Sequence, residues 1–393
     1  MFRIILITIF VLVSAFAYFK IRNILPDTSW IKLTYNLFFL LIVAIFSTGI
    51  FLRGYLPPKV NVFIINYLVT WIVACVYFML IMLFVGLINM FVKYLDNLQI
   101  NPHNSVIKYI LRCSVFVIIA LMAIWKQFKR KMIFLALALT MLILIWGRYN
   151  FTRIKIEKLD ININKKAKIE TLKIIAASDL HLGYSINKKY LKKIVDLINA
   201  QKPDIILLVG DIADGYSAPI IEQNMREEFL QLKAPLGVYG VTGNHECYGD
   251  MKNTVDYLKS AGIIMLQDSL VLLDNDIYIA GRNDKTIKNR KKLDAILENI
   301  DKEKPVILLD HQPFNLGQAE ENGVDLQLSG HTHGGQIFPF TLITKLVYEK
   351  QHGYLKKNNT HYYITSGAGG WGPKLRIGSQ SEIVEITLRF EHE

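Results

Sequence analysis

Long apolar runs separated by short charged stretches occupy the first 148 residues. A helix needs roughly 20 apolar residues to cross a bilayer, and two of these runs reach that length. The longest exceeds one crossing but is too short for a helical hairpin, so we expect one tilted or over-long helix. The pattern predicts about five membrane helices, near residues 4–19, 33–52, 62–92, 109–125 and 132–147.

The first of these runs has two interpretations. Arg3, a short apolar stretch and Ala15-Phe16-Ala17 resemble a cleavable signal peptide, while the alternative is a membrane helix that begins inside. The densest basic loop, residues 126–131, favours the inside of the membrane. With five helices, or with four after cleavage, the C-terminal part of this integral membrane protein is expected outside the cytoplasm. Buried helices of a soluble domain are disfavoured, since five such segments leave no polar surface.

The pattern changes after residue 148. Residues 149–169 are interpreted as a linker with the first strand, and residues 170–393 as one further domain. Short β-branched runs predict strands at residues 172–177, 205–209, 238–242, 277–280, 306–309 and 326–329. Polar segments between them predict helices at residues 188–200, 222–232, 254–261 and 290–300. This alternation indicates a layered α/β domain with a largely buried sheet.

The basic excess of the chain belongs to its apolar half. The 393 residues carry 45 Lys and Arg against 33 Asp and Glu, which alone would suggest a nucleic-acid-binding protein. Residues 1–148 hold 14 of the basic residues and only Asp27 and Asp96, so 31 residues of each sign remain in residues 149–393. Membrane lipid therefore accounts for the charge, and nucleic acid is not expected as a partner. The 52% hydrophobic content excludes disorder, and three cysteines exclude a disulfide scaffold.

Metal-capable side chains directly follow five of the predicted strands. In open α/β sheets, functional groups collect beyond the carboxyl ends of strands. Carboxylate, imidazole and amide-oxygen ligands suit Mn, Fe or Zn, and the absence of thiolates argues against a structural zinc site. Two such ions can hold a water as hydroxide and clamp both oxygens of a phosphoryl displacement, with an Asp whose oxygens each face one ion as the bridge. The five segments are Ser178-Asp179-Leu180-His181, Gly210-Asp211-Ile212-Ala213-Asp214, Gly243-Asn244-His245-Glu246, Asp310-His311 and Gly330-His331-Thr332-His333.

Taken together, these segments resemble the calcineurin-like metallophosphoesterase superfamily. The motifs DxH, GDxxD, GNH(D/E), a lone His after a strand, and GHxH occur in the family's order over about residues 170–390. Residues 330–339 and 366–377 are further similar to its membrane-anchored bacterial branch. The resemblance implies a four-layer αββα sandwich and a metal-dependent phosphoric ester hydrolase.

The resemblance also implies a role for each matching residue. His245 would contact the phosphate and protonate the leaving oxygen, oriented by Asp214, after attack by a metal-bound hydroxide. Arg376 would bind the phosphate or, alternatively, lie on the surface. One metal ion would take Asp179, His181, Asp211 and His333; the other would take Asp211, Asn244, His311 and His331, with Asp211 as the bridge.

The sequence therefore predicts a membrane-anchored, two-metal phosphoesterase for phosphodiester or pyrophosphate bonds. Tethering to the membrane favours a lipid-linked or cell-envelope substrate. The alternative is a non-catalytic membrane sensor or transport component whose metal domain binds a phosphorylated ligand. It is disfavoured because every expected ligand is present and the three uncharged runs, residues 4–19, 33–52 and 60–92, carry no Asp, Glu, Lys, Arg or His. A nuclease would need a basic surface excess that the neutral domain lacks.

Overall fold

In the computed structural model, the chain divides into two compact units, Met1–Ile145 and Trp146–Glu393. The structure describes residues 2–51, 55–97, 129–274 and 276–391. Among the described residues of the first part of the chain, the helices are α1 (Phe2–Arg22), α2 (Ser29–Phe51), α3 (Pro58–Asn97) and α4 (Lys129–Thr152), the last of which continues into the second unit. Buried Phe10, Phe46 and Leu68 join α1, α2 and α3. Many of their other apolar side chains are exposed, as suits helices surrounded by lipid.

Three helices in the described part of the chain are long and apolar enough to cross a membrane. They are Ser29–Gly49, Pro58–Ile88 and Lys131–Thr152. The longest apolar run lies in one continuous helix, α3, of 40 residues. The segment 4–19 is helical in α1 but is not one of these three described spans. The helix expected at residues 109–125 lies outside the described residues.

Two six-stranded sheets form the centre of the second unit. The first has the order β1-β12-β2-β3-β4-β5 and the second β10-β11-β9-β8-β7-β6. The strands are β1 (Lys155–Lys166), β2 (Thr171–Ala177), β3 (Ile205–Val209), β4 (Val238–Val241), β5 (Ile264–Met265), β6 (Ser269–Leu273), β7 (Ile277–Gly281), β8 (Val306–Leu309), β9 (Leu326–Ser329), β10 (Gly353–Lys357), β11 (Thr360–Ile364) and β12 (Glu382–Glu391).

Helices cover the outer faces of both sheets. The longest, α5, begins where Asn187 accepts a hydrogen bond from the Tyr190 N–H at 3.2 Å, and it buries one apolar face. The helices are α5 (Lys188–Ala200), α6 (Ala218–Glu222), α7 (Arg226–Phe229), α8 (Asn244–Tyr248), α9 (Met251–Ser260), α10 (Leu293–Ile296), α11 (Gly317–Glu321) and α12 (Phe340–Val347), with a 3₁₀ turn at His333–Gly335.

Central strands such as β3 and β8 are apolar throughout because both of their faces are buried. In β2, Ile174 belongs to the core between the two sheets, whereas Ile175 packs in the core that includes α5. Leu308 of β8 and Tyr362 of β11 lie in the third core, beneath α10 and α11. Strands buried on both sides read as continuous apolar runs rather than alternating ones. Helix, sheet, sheet and helix layers confirm the expected αββα architecture.

The structure differs from the sequence prediction at two helices. Residues 222–232 form no single helix, because Asn224 has a φ of +49° and separates α6 from α7. Residues 290–300 contain only the short α10. There, Arg290 bonds to the Asp310 carboxylate and the Lys291 N–H donates to Asp268 at 2.9 Å, which holds this segment as a loop. All six predicted strands are confirmed.

Parallel pairing places the loops that carry the motifs at one edge. Strands β2, β3 and β4 are parallel neighbours in the first sheet. Strands β7, β8 and β9 are parallel neighbours in the second. The carboxyl ends of parallel strands meet at the same edge of a sheet, and the loops that follow them therefore lie together.

Candidate metal centre

The loops beyond these strands bring potential metal ligands together in three overlapping groups. Within each group, one atom of every side chain lies within 4.8 Å of the others. The members are buried or half-buried. The groups are Asp179 with His181 and His333, His181 with Asp211 and His245, and Asp211 with His311 and His331.

The first group directs three ligand atoms to a common point. Nε2 of His181 and Nε2 of His333 are 3.2 Å apart, and Asp179 Oδ1 lies 3.5 Å from the latter. Two imidazole nitrogens this close repel each other unless a proton or a cation lies between them. Asp179 is held in place by the His331 N–H, at 3.1 and 3.0 Å from its two carboxylate oxygens. The arrangement fits a cation.

The group of Asp211, His311 and His331, called the second group from here on, is built on the loops after β3, β8 and β9. His311 Nδ1 lies 2.7 Å from the Val209 carbonyl oxygen, to which it donates, so the lone pair of its ring is at Nε2. That buried Nε2 has no hydrogen-bond partner among the residues that the structure describes. It lies 3.2 Å from Asp211 Oδ2. His331 Nδ1 approaches Asn244 Oδ1 to 2.6 Å, which adds Asn244 to this group.

Asp211 lies between the two groups and uses its oxygens unequally. Oδ2 is 3.7 Å from His181 Nε2 and 3.2 Å from His311 Nε2. Oδ1 instead accepts a hydrogen bond from the His245 N–H at 2.8 Å. One oxygen therefore faces both groups, in contrast to the expectation that each oxygen faces one ion.

Hydrogen bonds and charge keep the carboxylates of the site ionised. Burial opposes ionisation of Asp211, but His311 and then His181 hold its pKa well below its usual range. Burial and the neighbouring His311 lower the pKa of His331 to about 4. Burial and the neighbouring His181 lower the pKa of His333 well below its usual value. Despite burial, the neighbouring carboxylates in turn raise the pKa of His181 and His311, so these two imidazoles must release a proton when a metal ion binds.

His245 and Asp214 form a pair at the edge of the ligand groups. His245 Nδ1 is 2.9 Å from Asp214 Oδ1, and the imidazole is partly accessible, at 19%. Desolvation would raise the pKa of Asp214, but the neighbouring His181 and His245 imidazoles hold it below its usual range. Asp214 is therefore a carboxylate that accepts from Nδ1, and Nε2 of His245 is left for another partner.

Backbone conformation marks the same loops as unusual. A positive φ is rare for residues other than glycine. It costs free energy and persists only where the surrounding structure imposes it. Such strain concentrates at functional sites, which agrees with the position of these loops. The ligand candidates concerned are Asp179 (53°), His181 (47°), Asp211 (50°), His331 (70°) and His333 (52°).

Glu246 is a residue of the site whose role we did not predict. Its fully buried carboxylate accepts hydrogen bonds from three backbone N–H groups, those of Gly243 (2.7 Å), Ala213 (2.7 Å) and Asp211 (3.1 Å). One side chain thereby ties the loop after β3 to the loop after β4. The spacing was a usable signal, since a Glu three residues after a helix-capping position often bonds back to it.

Replacing Glu246 by Gln is expected to destabilise the protein and to weaken metal binding. Glutamine has one acceptor oxygen for three donors, and its amide group would face a backbone N–H. We expect a loss of about 1–3 kcal/mol in the free energy of unfolding and roughly 10–100-fold weaker metal binding. Thermal unfolding and metal titration measure both. Glu228→Gln, at a buried glutamate on α7, is the control, and equal behaviour of the two variants would contradict this role.

Arg376 lies beneath the site and not on the surface. The residue is 0% exposed. Its Nη2 donates to the Ser366, Gly367 and Gly369 carbonyls at 2.6, 3.1 and 2.7 Å, and its Nη1 donates to the His333 carbonyl at 3.1 Å. A guanidinium occupied in this way is not available to a phosphate. Both alternatives for Arg376 therefore give way to a positioning role below His333.

Cys247 lies two residues after His245 and belongs to none of the ligand groups among the described residues. Burial raises the pKa of its thiol to about 12, so it is not a thiolate near neutral pH. Its Sγ lies 3.8 Å from the Met251 sulfur.

Known proteins are similar to this chain in its phosphoesterase domain. The family model of the calcineurin-like phosphoesterases matches residues 172–335. A metallophosphoesterase of Helicobacter pylori is 35% identical over 60% of this chain and 64% of its own length. A zebrafish transmembrane protein with a metallophosphoesterase domain is 32% identical over 65% of this chain and 62% of its own. The chain thus spans a little under two thirds of these relatives.

A shorter relative is covered almost completely. The metallophosphoesterase of Aquifex aeolicus is 34% identical to this chain over 60% of the chain and 92% of its own length. The residues 172–335 that the family model matches include the described loops that hold the ligand groups. With a whole relative covered at this identity, the chain belongs to the calcineurin-like metallophosphoesterase family.

Proposed function

We propose that this protein is a membrane-anchored, two-metal phosphoesterase that hydrolyses phosphodiester or pyrophosphate bonds. The observation that carries the proposal is the position of Asp211 Oδ2, within 3.7 Å of ligand nitrogens from both groups. In this proposal residues 1–148 form the membrane region and residues 170–393 the phosphoesterase domain. β1 lies in the segment between them and pairs with β12.

The residues present fit two divalent cations such as Mn, Fe or Zn. Buried carboxylates supply negative charge, and imidazole nitrogens supply lone pairs, among them His311 Nε2, which has no hydrogen-bond partner among the described residues. When bound, the two ions would polarise the phosphoryl group and activate the attacking water. The first ion would be held by Asp179, His181, Asp211 and His333, and the second by Asp211, Asn244, His311 and His331.

His245 is the proton donor in this proposal. The bond between its Nδ1 and Asp214 fixes the ring, and Nε2 carries the proton toward the leaving oxygen. Its partial exposure lets a substrate reach it, while Asp214 compensates the charge of the imidazolium. The same backbone that places His245 also binds Asp211 Oδ1, so proton donor and bridging carboxylate keep a fixed separation.

Attachment to the membrane supports a lipid-linked or cell-envelope substrate. The end of α4 enters the domain directly, where the Gly147 carbonyl accepts the Arg376 N–H at 2.9 Å. Asn150 Nδ2 donates to the Arg376 carbonyl at 3.3 Å. We further propose that the domain lies outside the cytoplasm.

Activity of the purified full-length protein tests this proposal. With Mn²⁺, we expect hydrolysis of bis(p-nitrophenyl) phosphate, loss of activity after chelation, and recovery when Mn²⁺ is returned. Cys247→Ala is the control variant and is expected to keep full activity. Tight binding of phosphoesters without any turnover, over a panel that includes lipid pyrophosphates, would instead support the non-catalytic sensor.

A further inference from the structure

One face of α12 presents large apolar side chains that no described residue covers. Leu346 is 87% exposed, and Trp371 is exposed nearby. Contiguous apolar surface of this kind marks a site of contact with a membrane or another protein. The exposed side chains on α12 are Phe340, Leu342, Ile343, Leu346 and Val347.

The end of the membrane helix α4 lies close to this face. Trp146, Arg148 and Tyr149 end the apolar part of α4, and aromatic and basic residues of this kind collect where a helix leaves the bilayer. Gly147, at the same level, contacts Ile377 so closely that a Cβ on this glycine would lie 2.6 Å from Ile377 Cγ1.

The segment around Ile377 in turn carries the start of α12. The Phe338 N–H donates to the Ile377 carbonyl at 2.7 Å, and the Ile377 N–H donates to the Gln336 carbonyl at 2.9 Å. A Cβ on Gly378 would lie 3.0 Å from Thr341 Cγ2. One chain segment, residues 376–378, therefore contacts the end of α4 on one side and the start of α12 on the other.

We propose that α12 is an interfacial helix that inserts its apolar face into the surface of the bilayer that α4 crosses. The opposite face supports this orientation, since Thr341 is buried against the domain. Lys345, also on α12, is exposed and can meet anionic headgroups. A bilayer fits better than a protein partner, because α4 holds this face at the level where the membrane begins.

A single turn, His333–Gly335, connects the candidate metal centre to α12. Gly335 packs on α12 so tightly that a Cβ on it would lie 2.4 Å from Thr341 Cα. Gly335 ends the 3₁₀ turn that begins at His333. The site therefore lies beside the bilayer surface, within reach of headgroups. This placement does not depend on the proposed hydrolysis, and its test needs no activity.

The depth of α12 is measured on the full-length protein in phosphatidylcholine–phosphatidylglycerol vesicles. A nitroxide is attached to Leu346→Cys in a chain whose own cysteines, Cys75, Cys113 and Cys247, are replaced by Ala. The matched control carries the label at Lys252→Cys on α9, where the side chain is 85% exposed. We expect collisions with a water-soluble nickel complex to be about fivefold fewer at position 346 than at 252, and collisions with oxygen to be more frequent.

Each other outcome identifies a different occupant and overturns the proposal. Equal nickel accessibility at both positions means that the face is in water. Spin–spin broadening between labels means that a second copy of the chain covers it. Low accessibility to nickel and oxygen together means contact with protein. If the cysteine-free chain does not assemble, a photoreactive residue at position 346 replaces the label, and crosslinks to lipid are expected there and not at position 252.

Discussion

Asp211→Asn is expected to lower the metal content at both proposed positions and to reduce turnover by about 10³-fold or more. The reason is the unequal use of its oxygens: Oδ2 alone faces His181 Nε2 and His311 Nε2. An amide removes the negative charge that two cations would share. Metal ions contribute several kcal/mol to such a transition state, and about 4 kcal/mol corresponds to a factor of 10³.

Metal analysis of the purified full-length variant gives the answer directly. Asp214→Asn is the matched control, because it makes the same change three residues later, at a carboxylate outside the proposed ligand sets. We expect two ions per chain in the control and fewer than one in Asp211→Asn. Two ions retained in Asp211→Asn would mean that Asp211 does not bridge, and the loss of one ion would assign it to one group alone.

Thermal unfolding separates loss of metal from loss of fold. A ligand that binds only the folded state raises the melting temperature, and at a given concentration the rise is larger for a ligand that binds more tightly. We expect added Mn²⁺ to raise the melting temperature of the parent protein and of Asp214→Asn, but to have little effect on Asp211→Asn. The variant should remain folded without metal, since the Oδ1 position can still accept the His245 N–H.

The ligand loops could be predicted because each follows a strand that is apolar on both faces. Residues such as Ile206 and Leu207 indicate a fully buried strand, and the next polar residue must lie at its end. Parallel pairing of β2, β3 and β4 then brings the ends together without further information. The motifs therefore specified both the residues and their meeting point.

Features that depend on distant parts of the chain could not be predicted. The carbonyls that surround Arg376 come from residues 366–369 and from His333, and they meet only in the folded domain. β12 enters the first sheet between β1 and β2, and no local pattern encodes that pairing. A left-handed residue such as Asn224 likewise ends a helix whose composition favours continuation.

His245→Ala is expected to keep two metal ions and to lose about 10²–10⁴-fold in turnover, the usual contribution of a positioned proton donor. His245 is also within reach of His181 and Asp211, so a ligand role is the competing interpretation. Metal content distinguishes the two, since loss of an ion would make His245 a ligand. Its contact with Asp211 runs through the backbone N–H and therefore survives the substitution.

The leaving group separates proton donation from simple phosphate binding. A p-nitrophenolate leaves without help, whereas an alkoxide needs a proton, so His245→Ala should affect an alkyl ester far more than an aryl ester. Asp214→Asn should also slow the alkyl ester more than the aryl ester, but by a smaller factor. The reason is that this substitution keeps the His245 imidazole and changes the hydrogen bond that orients it. Equal losses for both esters would assign His245 to phosphate binding, and the proton would then have to come from water. If His245→Ala slows hydrolysis of the alkyl ester alone, then His245 donates the proton to the leaving oxygen. The donating atom is then Nε2, because Nδ1 is bonded to Asp214.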